Sequence, residues 1–362
     1  MLRVGYFSPL PPVKSGIADY SAALLPELGK LGNVGVAPDQ YDAGLYHLGN
    51  NLLHHGIYER ALARPGVVVI HDALLQHYFL SSLTEKEYVD EFVFNYGEWS
   101  RTEARTLWRE RSVSGVDERY FGRTMLKRIA ETSRAVIVHN PAARARVLKD
   151  APGARVVEIP HFYVPCERPD AAGVLEFRGR ARYVFGVFGY LRESKRLYSV
   201  LKAFGRLRRV DSSVELLMAG EFHSDTLEKC LEPWLNAPGV RRVGHMSEAM
   251  FGVAMEAVDC CINLRYPSAG ETSGIGVRLM GAGKPVIFTS GDENAGLPEH
   301  AYLAVEPGIR EEAHLFELMC VLAGKPDLGR GIGERAAEHI LRYHSIRAAA
   351  EQYWTTLCDV CC

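Results

Sequence analysis

The segment Tyr266-Pro-Ser-Ala-Gly-Glu-Thr-Ser-Gly-Ile-Gly-Val-Arg-Leu-Met-Gly-Ala-Gly-Lys-Pro-Val-Ile287 places the tightest limit on how this chain can fold. An apolar strand precedes it at residues 260–264 and a second closes it at 285–289. Between them come a loop of small residues and a helix. Such a strand–loop–helix–strand unit aims backbone N–H groups and the positive end of a helix dipole at one spot, which suits a phosphate. One carboxylate, Glu271, stands at the mouth of the loop.

The same alternation runs through the whole chain. Apolar strands are expected at 2–7, 44–47, 67–70, 135–138 and 156–159, then at 183–188, 214–219, 240–243, 257–264, 285–289 and 301–305. Helices are expected at 18–31, 52–63, 117–133, 142–149, 197–210, 227–235, 248–256 and 345–358, with Pro26 kinking the first. Near-continuous apolar strands separated by helices predict parallel sheets covered on both faces, an α/β fold. Pro160, Pro165, Pro169 and Gly173 mark a linker, and 362 residues suit about two domains of 150–200. The expected organisation is a Rossmann-like unit at 1–165, a linker at 166–182, a second Rossmann-like unit at 183–342 and a final helix within 343–362. Residues 82–125, rich in charge and carrying Trp99 and Trp108, read as a helical insertion in the first unit, a lid or an acceptor-facing feature. Ligands of such folds sit beyond the carboxyl ends of the strands.

Composition removes several function classes. A formal net charge of −2 argues against a nucleic-acid partner. No apolar run approaches the roughly 20 residues of a bilayer span, and the opening Met1-Leu-Arg-Val-Gly-Tyr-Phe reads as a strand, not a signal peptide. The eight cysteines are scattered over strands and helices, which points to reduced thiols and a cytoplasmic location. Cys358-Asp-Val-Cys361-Cys362 clusters, as a metal or lipid site or as a frayed tail, but no second ligand pair is spaced to complete a zinc site. His54-His55 likewise lacks a placed carboxylate partner, and no Asp-x-Asp stands in a metal-binding context.

Four constellations fall at expected strand ends. Ser15-Gly16-Ile17 leads from the first strand into a helix, so its N–H groups suit a diphosphate; an ordinary βα turn reads the same way. Val67-Val-Val-Ile70 ends on His71-Asp72, where His71 is either a site residue or a satisfied structural histidine, and Asp72 reads as a cap for the next helix. His139 and His161 also follow strands and can line a cleft, with Asn140 as a helix cap. Gly189-Tyr-Leu-Arg192-Glu-Ser-Lys195-Arg196 opens the second unit with cations at a helix start, where the dipole disfavours them unless an anion is present. Lys supplies a point charge and Arg a bidentate fork for a diphosphate. In the fourth, Glu271 suits sugar hydroxyls, and Thr272, Ser273 and Gly274 offer backbone N–H groups. Gly281-Ala-Gly-Lys-Pro285 is not a Walker loop, because Pro follows the lysine.

These motifs, in this order, resemble the retaining glycosyltransferases of GT-B fold, in the large sucrose-synthase-like and mannosyltransferase-like family. Ala282-Gly-Lys-Pro-Val-Ile287 matches the end of that family's donor loop. Two places depart from it. Counted back from Pro285, the family's first acidic place falls on Gly270, one residue before Glu271, and the second acidic place holds Arg278. The resemblance is therefore to a divergent branch. It implies two Rossmann-like domains facing across a cleft, with the last helix crossing back to the first domain. It also implies sugar transfer from a nucleotide sugar, UDP- or GDP-linked, with retention of configuration and without an obligatory metal or other cofactor. It assigns His71 to the transferred sugar, Lys195 and Glu271 to catalysis, and Gly16, Gly189, Arg192, Lys195, Thr272, Ser273, Gly274 and Arg278 to the donor. Arg278 has no acceptor for ribose hydroxyls; a phosphate or the Glu271 carboxylate is its alternative partner, or a structural role. The implied partners are the nucleotide sugar and a glycan, lipid-linked or small-molecule acceptor, the lipid case bringing peripheral membrane contact. Tyr190, at the family's arginine place, and Arg278 also fit a non-catalytic binder of nucleotide sugars. An epimerase of the same fold acting without an acceptor is the third reading.

Overall fold

The computed structural model describes residues 2–166 and 169–361. Cys362, part of the terminal cysteine cluster, lies outside them.

Two six-stranded sheets, each parallel throughout, follow one another along the chain. The first contains β1 (Arg3–Phe7), β2 (Asn33–Val36), β3 (Ala43–Leu48), β4 (Val67–Ile70), β5 (Ala135–Val138) and β6 (Val156–Glu158), in the order β2-β1-β3-β4-β5-β6. The second contains β7 (Tyr183–Phe188), β8 (Val214–Ala219), β9 (Val240–Val243), β10 (Cys260–Asn263), β11 (Val286–Thr289) and β12 (Leu303–Val305), in the order β12-β11-β10-β7-β8-β9. The central strands β3, β4, β5, β7, β10 and β11 are buried at every position. That is why they read as unbroken apolar runs: helices cover both of their faces. The strand order reverses between β1 and β3 and between β7 and β10, and each reversal opens a crevice at the strands' carboxyl ends.

Local chemistry sets where helices begin. Ser15 Oγ accepts from Ala18 N at 3.0 Å, so the first helix runs Gly16–Gly29, earlier than the apolar spacing predicts. Asn140 caps Pro141–Asp150, with Pro141 at the helix start. At the ends of β7 and β8, Gly189 (φ +86°) and Gly220 (φ +149°) pass so closely that a Cβ on Gly220 would lie 2.1 Å from the Gly189 carbonyl oxygen. Only glycine permits both the backbone conformation and the approach.

The helix Ile346–Asp359 packs on the first sheet. Ala349, Ala350, Tyr353 and Leu357 share one buried cluster with Val4, Tyr6, Tyr20, Leu24 and Ile159. The Tyr20 and Tyr353 hydroxyls meet at 2.9 Å. The chain leaves the first sheet after β6 and returns beside its own exit, where Tyr163 N donates to the His344 carbonyl at 2.7 Å.

Some expectations need correction. β2 is a short, half-exposed edge strand of Asn-Val-Gly-Val, too polar for an apolar run to reveal. The helix expected at 117–133 is two short pieces, Glu118–Phe121 and Lys127–Thr132, separated by Gly122 and by Met125 at φ +54°. The linker region carries a helix, Ala171–Arg178. Glu311–Gly324 and Pro326–Tyr343 are helices in a stretch left unassigned. The segment 82–125 forms part of the core layer: Tyr88, Phe92, Leu107 and Tyr120 bury against the same cluster as Val68 and Ile70 of β4. Among the described residues, no helix is long and apolar enough to cross a membrane.

Candidate functional site

The carboxyl ends of the two sheets bring most of the singled-out residues to one cleft. On the second sheet, β7 runs into Gly189 and the turn carrying Arg192 and Lys195. Lys195 is buried, with only 8% of its surface exposed, and its Nζ donates to Asn263 Oδ1 at 3.3 Å. Asn263, the last residue of β10, passes the connection on: its Nδ2 donates to Ser273 Oγ at 2.8 Å, and Ser273 Oγ caps Gly276 N at 3.0 Å. Ser273 is thus the N-cap of the helix Gly274–Gly281. The first N–H groups of that helix have no carbonyl within it.

Lys195 carries an unusual charge environment. Burial, with Arg265 and Arg192 nearby, lowers its pKa from 10.5 to about 7, opposed by Glu271. Arg265 escaped the sequence reading. It stands two residues beyond the end of β10, a strand-end position that was itself the signal. Its Nη1 donates to Glu271 Oε1 at 2.6 Å and its Nη2 to Ser273 Oγ at 3.3 Å. A second carboxylate faces this group from the first sheet. Asp72 is pushed up to about 6, first by burial and then by the Glu271 charge, against the pull of the Asn50 N–H, Arg265 and Arg192. Asp72 is not the cap of the following helix. Its Oδ2 accepts from Asn50 N at 2.8 Å, and that helix starts at Gln76 with no side-chain cap. Three cations and two carboxylates, one of them with a raised pKa, therefore share one cleft. That arrangement can bind an anionic leaving group and can also hold or release a proton.

The first sheet supplies the facing wall. Gly16 lies in the first turn of its helix, with open space where a Cβ would sit. Tyr190 bridges the cleft, its hydroxyl donating to the Lys14 carbonyl at 3.2 Å. Thr272 is held from the first sheet by Asn140 Nδ2 at 2.9 Å, and Gly274 leaves only 3.0 Å between a built Cβ and His161 Nε2.

His71 lies in the cleft floor inside a chain of imidazoles. His139 Nδ1 is 2.9 Å from the Ile159 carbonyl, which can only accept, so Nδ1 carries the proton. Burial pushes His139 down to about 4, so the ring is neutral and its Nε2 is an acceptor. The His71 Nδ1–H then donates to it at 3.3 Å, and the His47 Nδ1–H donates to His71 Nε2 at 2.9 Å. Burial and the neighbouring imidazoles hold His71 well below the usual histidine range. The chain ends on His47 Nε2, buried and without a partner among the described residues. Both ring nitrogens of His71 are thus occupied, so it offers no free N–H to a sugar in this state.

Arg278 also departs from expectation. It meets neither Glu271 nor the cation group. Its guanidinium pairs with Glu248 and with Cys166 Sγ and stacks over Phe251 at 4.4 Å. Glu271 is held by Arg265 instead. Gly270, at the family's acidic place, has φ at +74°, where a side chain is strained, and the carboxylate stands on the next residue.

No protein-family model matches this sequence. Nor does it match any curated protein. Its structure matches solved ones closely in extent. Sucrose-phosphate synthase from Thermosynechococcus elongatus superposes with a TM-score of 0.71 over 98% of both chains, at 13% identity. Anabaena HepE, solved in complex with UDP-glucose, gives 0.66 over 99% of this chain and 100% of that one, at 14% identity. WaaG, a glycosyltransferase involved in lipopolysaccharide biosynthesis, gives 0.62 over 96% and 99%, at 12% identity. The fold is GT-B. It is shared across the full length, with the cleft between two Rossmann-like sheets.

Proposed function

We propose that the protein is a glycosyltransferase that takes a sugar from a nucleotide diphosphate donor, with UDP favoured over GDP. The observation that carries this reading is the meeting of Lys195, Arg192 and Arg265 with the first turn of Gly274–Gly281 at the carboxyl ends of β7 and β10. A buried lysine and two arginines beside helix N–H groups are suited to a diphosphate. The solved HepE complexes with UDP-glucose and UDP support the donor class.

In this reading the sugar–phosphate bond breaks with positive charge growing on the sugar. Lys195, Arg192, Arg265 and the backbone N–H groups near Gly16 and Thr272–Gly274 stabilise the departing diphosphate. Those cations already supply the neutralising charge, so the transfer is metal-independent. Glu271 addresses sugar hydroxyls with the acceptor sites that Arg265 leaves open. Asp72, with its raised pKa, is placed to exchange a proton on the acceptor side of the cleft. Retention of configuration follows from the motif resemblance. The acceptor is a glycan, a lipid-linked sugar or a small molecule.

A non-catalytic binder is the second reading. The occupied nitrogens of His71 and the Arg278–Glu248 pair favour it, because both replace contacts that the family resemblance assigns to the donor. Thermal shift with UDP, GDP, ADP and their sugar conjugates tests the proposal, with Lys195→Ala as control. One nucleotide should raise the melting temperature in the wild type and not in the variant. No shift at millimolar ligand would refute the diphosphate clamp. A shift without transfer or donor turnover would select the second reading.

A further inference from the structure

We propose that Asn140 is a positioning residue that shapes the donor turn Gly270–Thr272 from the opposite sheet. Asn140 stands just beyond β5, on the first sheet, with 4% of its surface exposed. Its side-chain amide bonds at both ends. Oδ1 accepts from Ala143 N at 2.7 Å, as the cap of Pro141–Asp150, and this contact fixes which end of the amide is oxygen. Nδ2 then donates to the Gly270 carbonyl at 3.0 Å and to Thr272 Oγ1 at 2.9 Å. Thr272 Oγ1 donates in turn to the His139 carbonyl at 3.4 Å. Glu271 lies between the two residues so held. Gly270 sits in the left-handed region, and its carbonyl direction is set by a residue from the other half of the molecule.

The consequence is a coupling between cleft closure and the site. When the two sheets separate, the turn loses its contacts to Asn140 and to the His139 carbonyl together. The carboxylate of Glu271 is then left with its contacts to Arg265 and Ser268 within its own half of the molecule. The closed arrangement therefore adds a second set of contacts to a turn already bonded by Ser268 and Arg265, and a single side chain both starts a helix on one sheet and holds the turn on the other.

Asn140→Ser separates these two duties. Serine is as good an N-cap as asparagine, but its hydroxyl is too short to reach Gly270. Amide hydrogen exchange on the full chain without ligand is the first measurement. In N140S, the amides of residues 268–274 should exchange about tenfold faster or more, while β5 and residues 141–150 stay at wild-type rates. Wild-type exchange at 268–274 would overturn the proposal. Should N140S fail to fold, Asn140→Asp serves: it keeps the cap and sets a carboxylate against the Gly270 carbonyl, and the same acceleration is expected.

A second arm rests on the nucleotide reading. UDP affinity should fall about tenfold in N140S. Unchanged affinity beside accelerated exchange would overturn the assignment of this turn to the donor. Should the wild type bind no UDP, the functional reading fails, and the exchange measurement still decides whether Asn140 holds the turn.

Discussion

In the empty protein, burying Lys195 costs more folding free energy than its bond to Asn263 returns. Its pKa falls from 10.5 in the open chain to about 7 in the fold, chiefly through burial. The unfolded chain therefore holds this proton more tightly across that whole interval. Full stability belongs above pH 10.5 and is lost as pH falls toward 7. At about 1.36 kcal/mol per unit, the penalty is about 4 kcal/mol at pH 7 and about 2 kcal/mol at pH 9. Lys195→Met keeps the length of the stem and removes the charge. It leaves Asn263 Oδ1 without its donor, a loss of about 1–2 kcal/mol. The variant should thus be more stable than the wild type by about 2–3 kcal/mol at pH 7, with the gap closing by about pH 9. Urea unfolding of both proteins without ligand, at fixed ionic strength and several pH values, measures that gap and cancels other titrating groups. A variant less stable at pH 7, or a gap independent of pH, would refute the argument that this lysine is held against its own desolvation. The same variant should lose its thermal shift with UDP.

Other predictions follow from the same cleft. A diphosphate beside Lys195 raises its pKa, so UDP binding at pH 8 should take up protons, read by calorimetry in buffers of different ionisation enthalpy; no uptake would mean the lysine does not meet the phosphates. Glu271→Gln removes a charge that helps push Asp72 up to about 6, so the acid limb of the activity profile should move to lower pH. Asp72→Asn should raise stability at pH 8 but not at pH 4, because the raised carboxyl pKa contributes stability only below its range, and unfolding at both pH values checks this. Gly333→Ala would place a Cβ 2.0 Å from the Gly283 carbonyl oxygen, and backbone cannot step aside. The expected loss is about 2 kcal/mol or more, seen as a lower denaturation midpoint.

The sheets were legible because their central strands are buried on both faces, which writes them as apolar runs such as Val67–Ile70 and Tyr183–Phe188. β2 was not, because an exposed edge strand needs no such pattern. Lys195 was legible in the site because a cation at a helix start has few structural reasons to be there. Arg265 lacked any helix to announce it, and its pairing with Glu271 depends on how the loop folds back. Asn140 was read as a cap, and it is one. Its second duty spans about 130 residues of sequence and belongs to tertiary structure alone. The histidine chain is likewise invisible in the sequence, since His47, His71 and His139 come from three different strand ends and only their hydrogen-bond partners fix the protons.

The return of the helix Ile346–Asp359 to the first sheet bears on synthesis. The ribosome makes the first sheet's strands early, yet Ala349, Ala350, Tyr353 and Leu357, which complete one side of its core, come after the whole second sheet. Domains usually fold in the order they emerge. Here the earlier half must wait with an uncovered apolar face for a segment made more than a hundred residues later, so its final packing cannot precede release of that segment. The second half carries no such debt, and it is the half that should protect its amides first in a pulse-labelling experiment on nascent chains.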